Sequence, residues 1–331
     1  MISTFVSPIG QRSTVHHPQR LTAAAALAAV VATSLTACGT SADADSGDAQ
    51  GGGTVKVVAT TTQVADFVRN IGGDRVTVTQ LVKPNASPHE YEPTPAALQA
   101  IGEAALLVKN GVGLEDEWLP RTIEASGFDG EPVDTSTGIT LRQGEDHETG
   151  ETADDPHIWH NPLYVKIMSE TIEKALIRAD PSHKADYQDN FTAYAAKLDA
   201  LDKGIAGQIN SLPADDRKLV TNHDAFGYYI DRYHLTYVGS VIPDFSDQAE
   251  LSGSQLDSLV ERIKKQKVKA VFGETSLPPK TAQAIGRQSG VKVVAGDGSL
   301  YGDSLGPKGS AGDTYLKSME FNTTTIVDAL K

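Results

Sequence analysis

Cysteine is nearly absent from this chain: Cys38 is the only one in 331 residues. A single thiol cannot form an intramolecular disulfide, and it excludes the thiolate clusters that hold many structural zinc ions. Positive charge is also scarce, with 29 Lys and Arg against 43 Asp and Glu, a net charge of −14. That balance argues against nucleic acid or an anionic bilayer surface as the main partner and suits a soluble body that tolerates or attracts cations. The chain has no Gly-x-x-x-x-Gly-Lys-Ser/Thr phosphate loop and no His-Glu-x-x-His motif. Nucleotide hydrolysis and the commonest zinc-hydrolase signature are therefore both missing.

One uncharged apolar run is present. Residues 21–37 follow Arg12 and Arg20 and end in Leu35-Thr36-Ala37-Cys38-Gly39. A basic start, a short apolar stretch, small residues before a cut and a Cys at the new N-terminus make a bacterial lipoprotein signal. At 17 residues the run is at the lower limit for a membrane span, so lipid attachment through Cys38 is expected rather than an anchor helix. Each buried methylene of such a lipid adds about 0.8 kcal/mol of membrane affinity. Removing residues 1–37 would leave 27 basic and 43 acidic residues, a net charge of −16. Residues 38–54 are then the lipidated Cys and a flexible tether, reaching roughly 20 Å with about 15 residues. The expected location is extracytoplasmic, lipid-anchored to the cell membrane.

From Val55 onward, short apolar runs alternate with helical patterns. Strands are expected at 55–60, 76–82 and 104–109, with helices at 64–71 and 94–103. The second half alternates again, with strands at 218–222, 236–242, 268–273 and 291–295 and helices at 226–233, 256–266, 281–289 and 314–330. Between the halves, Tyr187, Phe191, Tyr194, Leu198, Leu201, Ile205, Ile209 and Leu212 recur every three or four residues. That is one amphipathic helix of about seven turns. The expected fold class is α/β: two lobes with mainly parallel sheets, 55–183 and 213–331, joined by a long linker helix at 184–212.

Three histidines stand in distinctive contexts: Ser87-Pro88-His89-Glu90-Tyr91-Glu92-Pro93, Asp155-Pro156-His157-Ile158-Trp159 and Asn222-His223-Asp224-Ala225-Phe226. A carboxylate follows far downstream in Tyr301-Gly302-Asp303-Ser304-Leu305. Imidazoles plus one carboxylate suit a tetrahedral transition-metal site, with zinc the default occupant. In open α/β sheets ligands sit beyond the carboxyl ends of strands. His223 directly follows an expected strand, while His89 and Asp303 lie in loops after strands. The cleft between the lobes is where they could meet.

With these motifs in order, the chain resembles the substrate-binding proteins of zinc and manganese ABC transporters, from about Val55 to Leu330. Gly312-Asp313-Thr314-Tyr315, following the Asp303 motif, belongs to the same likeness. The resemblance implies two α/β lobes held by a rigid helix, with one metal ion between them. It implies His89 and His157 as ligands from the first lobe and His223 and Asp303 from the second. It implies capture of zinc, with manganese second, by a monomer that delivers the ion to the permease and ATPase of an importer. Position 223 carries a His where manganese-selective relatives carry a Glu, which favours zinc. Trp159 and Phe226 are expected in the apolar wall around the imidazoles.

Other residues remain open. Asp297 lies nearer the end of its strand than Asp303 does and competes with it as the carboxylate ligand. His160, three residues after His157, departs from the family pattern and is expected to face solvent. The segment 142–155, rich in acid and carrying His147, is expected to be a mobile loop without a role. The competing class is an exported zinc hydrolase, which would keep an open coordination position for water.

Overall fold

The structure, a computed structural model, describes residues 53–145, 152–246 and 252–331. The signal segment and Cys38 lie outside the described residues. Valine-rich segments build the first sheet: β1 (Val55–Ala59), β2 (Val76–Gln80), β3 (Leu106–Lys109) and the short β4 (Val133–Asp134). They lie in the order β2-β1-β3-β4, and every pair is parallel. Val57 of β1 pairs with Val78 on one side and Leu106 on the other. Parallel neighbours need crossovers, supplied by α1 (Thr62–Gly72), α2 (Pro95–Gly102) and α3 (Leu119–Ser126). The Thr61 hydroxyl caps α1 by accepting from Val64 N, and Thr94 caps α2 by accepting from Ala97 N.

The expected mobile segment is more ordered than its composition suggested. Its flanks form an antiparallel pair, β5 (Gln143–Glu145) with β6 (Thr152–Asp154). Residues 146–151, including His147, lie outside the described residues. A further helix, α4 (Pro162–Ala179), begins with Asn161 accepting from Leu163 N and Pro162 in its first turn. It buries Val165, Met168, Ile172 and Leu176 at the helical interval.

The long helix is α5 (Lys184–Asn210), 27 residues in length. Of its apolar stripe, Tyr187, Tyr194, Leu198, Leu201, Ile205 and Ile209 are buried. The second lobe follows as β7 (Lys218–His223), α6 (Gly227–Tyr233), β8 (Thr236–Ile242), α7 (Gly253–Gln266), β9 (Ala270–Phe272), α8 (Lys280–Ser289), β10 (Lys292–Val294) and α9 (Tyr315–Leu330). β7 pairs in parallel with β8, β9 with β10, and β7 lies beside β9.

One apolar cluster runs through both lobes: Phe67 of α1, Met168 of α4, Tyr194 and Leu198 of α5, Tyr229 of α6 and Met319 of α9 all belong to it. The long helix α5 is thus an element of the shared core. Its polar ties differ in weight. Arg75–Asp186 is half exposed at both ends and contributes little. Asp202, nearly buried, holds Arg232 of α6 by two hydrogen bonds of 2.8 and 2.6 Å and accepts from the Tyr233 hydroxyl at 3.0 Å. This anchor fixes α5 to the second lobe. Among the described residues no helix is long and apolar enough to cross a membrane.

Candidate metal centre

Each of the four sequence candidates is placed by a different element. His89 lies in the loop between β2 and α2, where Trp118 Nε1 donates to Pro88 O at 3.0 Å. His157 precedes a single 3-10 turn, Ile158–His160, that leads into α4. His223 is the last residue of β7, and Asp303 lies between β10 and α9. Leu305 N donates to Thr62 Oγ1 at 2.8 Å, and Trp159 Nε1 donates to Gly302 O at 3.0 Å. The loop carrying the carboxylate, between β10 and α9, therefore reaches the first lobe.

These positions converge. Asp303 Oδ2 is 3.6 Å from His89 Nε2 and 3.2 Å from His223 Nε2, and Asp303 Oδ1 is 3.4 Å from His157 Nε2. One donor atom from each of the four lies within 4.8 Å of all the others. Bonds of about 2.0 Å at a tetrahedral angle set donors about 3.3 Å apart. The carboxylate–imidazole spacings of 3.2 to 3.6 Å lie close to that value. The competing Asp297 is exposed in a 3-10 turn, Gly296–Gly298, and is not part of this group.

A surrounding set of carboxylates fixes the imidazoles. Asp155 Oδ1 accepts from His157 N at 3.0 Å and lies 2.8 Å from its Nδ1. Glu274 Oε1 does the same for His223, at 2.9 Å from both N and Nδ1. A carboxylate can only accept, so Nδ1 carries a proton in each ring and Nε2 is the nitrogen that faces the centre. Glu274 carries no motif of its own in the sequence, although it follows the expected strand 268–273 directly; Asp155 stands in the His157 motif. Gly302 is required beside Glu274, because a β-carbon there would collide with Glu274 Oε2.

The chain matches the family model described as zinc-uptake complex component A, periplasmic, over residues 57–329. It belongs to that family. It is 30% identical over 283 residues to the metal ABC transporter substrate-binding lipoprotein SsaB of Streptococcus sanguinis, covering 83% of this chain and 89% of that protein. It is 31% identical over 301 residues to the manganese-binding lipoprotein MntA of Halalkalibacterium halodurans, covering 91% and 96%. Among solved structures it resembles the periplasmic zinc-binding protein TroA of Treponema pallidum, with a TM-score of 0.77, 29% identity and coverage of 84% and 99%. The two-lobe α/β fold and the metal-binding class expected from the sequence are thus those of the family.

Electrostatics explain why a cation is wanted here. The three carboxylates that contact the imidazoles, Asp155, Glu274 and Asp303, are buried or nearly so. With neutral imidazoles they sum to −3, which a divalent ion reduces to −1 and the Arg142 guanidinium on Asp155 offsets further. Without an ion, protons take that role. Burial pulls the His157 imidazole down, but the hydrogen bonds and charges of Asp155 and Asp303 outweigh it and raise its pKa to about 9. His223 is likewise raised well above the usual range, burial being overcome by Asp303 and Glu274. Burial pushes Asp303 up, yet the His223 charge and the two imidazole hydrogen bonds hold it well below the carboxylate range.

The expectation of a solvent-facing His160 is overturned. It is 1% exposed, and its ring stacks on Phe226 with centroids 4.3 Å apart. Burial, reinforced by the neighbouring His157 charge, drives its pKa down to about 3, so it stays neutral. The physical reason is the 3-10 turn, which directs the side chain onto α6-proximal Phe226 rather than outward. Trp159 does stand against His157, with ring centroids 5.2 Å apart. An open pocket of about 500 Å³, lined by His89, Leu114, Glu117, Asp154, Asp244 and Phe245 among others, leads to the site.

Proposed function

We propose that this chain captures zinc outside the cytoplasm and delivers it to the membrane permease of an ABC importer, whose ATPase is a separate subunit. The observation that carries this reading is the convergence of three Nε2 atoms on the buried Asp303 carboxylate, with His157 and His223 held by carboxylates behind them. We assign His89, His157, His223 and Asp303 as the ligands, the first two from lobe 55–183 and the last two from lobe 213–331, with 184–212 as the linker. Cys38 carries the lipid that keeps the protein at the membrane, and the protein acts as a monomer without nucleic acid.

Four protein donors complete a tetrahedral shell and leave no position for a catalytic water, which favours binding over hydrolysis. Three imidazoles and one carboxylate suit zinc better than manganese, which prefers oxygen donors. Manganese is the second reading, because several relatives are named for it, including MntA of H. halodurans and PsaA of Streptococcus pneumoniae. The test is metal analysis of protein purified from metal-limited cells, followed by competition between zinc and manganese. Stoichiometric zinc retained against equimolar manganese supports the proposal. Preferential manganese retention turns it to the second reading, and protein that retains neither metal overturns both.

A further inference from the structure

Arg142 lies in the segment whose expected role was none, and its contacts point elsewhere. Its Nη1 donates to Asp155 Oδ2 at 3.0 Å, while the other oxygen of the same carboxylate holds His157. Its Nε is 3.4 Å from Asp231 Oδ2 on α6, and its guanidinium carbon is 5.9 Å from the ring centre of Phe245, which follows β8. Its backbone takes part as well. Arg142 N donates to the Tyr228 hydroxyl at 2.9 Å, and that hydroxyl donates to Asp155 O at 2.8 Å. Gly227, the first residue of α6, leaves the room the guanidinium needs, because a β-carbon there would lie 2.5 Å from Arg142 Nη1 and 2.6 Å from Asp155 Oδ2.

Two features separate this arrangement from an ordinary surface ion pair. Asp155 is completely buried and its two oxygens divide their work, one taking the His157 ring and backbone and the other taking Arg142. An Arg fork with fixed geometry can brace such a carboxylate in a way a flexible ammonium cannot. Moreover, the partners on the far side, Tyr228, Asp231 and Phe245, all belong to the second lobe. The chain His157–Asp155–Arg142 therefore begins at a ligand of the first lobe and ends on α6 and the loop after β8.

We propose that Arg142 is a positioning residue for metal retention, a strut that ties the orientation of His157 to the second lobe. The inference rests on the reading of His157 as a ligand. Arg142 is held by Asp231 and Phe245 and braces Asp155, which keeps His157 Nε2 aimed at the ion. Without that brace the imidazole is freer to turn, which speeds release.

The experiment compares wild type with Arg142→Met, Arg142→Lys and Asp231→Asn in the full chain loaded with zinc. Zinc release to a chelator is followed by stopped flow, and the His157 ring nitrogens by 15N-resolved NMR. Second-layer partners of metal ligands are typically worth about 10- to 100-fold. Arg142→Met should speed zinc release by about that factor and bring the His157 Nδ1 proton into exchange with water. Arg142→Lys should recover part of the loss, and Asp231→Asn should speed release while leaving the Nδ1 signal in place. Release within twofold of wild type in Arg142→Met, or an unchanged His157 signal there, overturns the strut. If Arg142→Met does not fold, Arg142→Lys and Asp231→Asn decide alone: wild-type release rates in both overturn it. Wild-type protein that binds no zinc would instead defeat the proposed function, so the two failures are distinguishable.

Discussion

Glu274 Oε1 accepts the backbone N–H of His223 and lies 2.9 Å from Nδ1 of the same residue, so a single oxygen fixes both the strand end and the ring. The two residues come from different strands, His223 ending β7 and Glu274 following β9. Asp155 repeats the arrangement with His157 at 3.0 and 2.8 Å. Identical local logic on both sides of the cleft holds two imidazoles through Nδ1 and turns Nε2 toward the centre.

Glu274→Gln should therefore weaken zinc binding by about 10- to 100-fold. The amide keeps an acceptor but loses the charge that makes the imidazole a stronger donor to the metal. Glu274→Ala should be worse, because it also removes both hydrogen bonds to His223. Competitive titration against a chelator of known strength measures both. Wild-type affinity in Glu274→Ala would show that the ring needs no such support.

At the position it supports, His223→Glu should lower zinc affinity and narrow the gap to manganese, since an oxygen donor replaces a nitrogen. The order need not invert, because zinc also binds carboxylates. His223→Ala should lower affinity for both metals, water being a poorer fourth donor. The same competitive titration serves, and unaltered zinc binding in His223→Ala would remove His223 from the ligand set.

How much of this could be read in the sequence depends on how local each signal is. The α5 stripe was legible because every third or fourth residue from Tyr187 to Ile209 points to one shared core. The four candidate ligands were legible through their motif contexts. α4 was missed although Val165, Met168, Ile172 and Leu176 carry a helical period and Asn161-Pro162 marks its start. Those signals were masked by the acid-rich segment just before it. β4 is two residues long and has no period to detect. Glu274 and Arg142 take their roles from partners distant in the chain, and His160 is buried by Phe226, which the intervening sequence does not foretell.

Cys38→Ala should leave the folded body intact and abolish lipid attachment, because the chain has no other thiol. Fractionation of cells and medium reads this directly. A variant that still needs detergent to leave the membrane would defeat the lipoprotein reading and favour residues 21–37 as an anchor helix.

The raised imidazoles make proton and metal compete over an unusually wide pH range. A free His titrates near about 6.5, whereas His157 holds its proton to about 9 and His223 is raised as well. Zinc binding at pH 7 should therefore release about two protons, and apparent affinity should climb from pH 6 through pH 9 rather than level off above about 6.5. The metal-free protein should behave in the opposite sense. A group whose pKa is raised on folding stabilises fully below its unfolded pKa, and that stability is lost as pH rises through the folded value. For His157 this is at most about 3 kcal/mol, lost between roughly pH 6.5 and 9. Asp303, held low, sets the other limit, because its contribution is present above about pH 4 and disappears as pH falls further. Metal-free protein should thus melt highest in mild acid and lower at pH 9, while the zinc-loaded protein gains stability over the same rise. Calorimetric titration in buffers of different ionisation enthalpy counts the protons, and thermal melts across pH with and without zinc trace the two trends. Zinc binding at pH 7 without proton release would contradict the protonated imidazoles on which this rests.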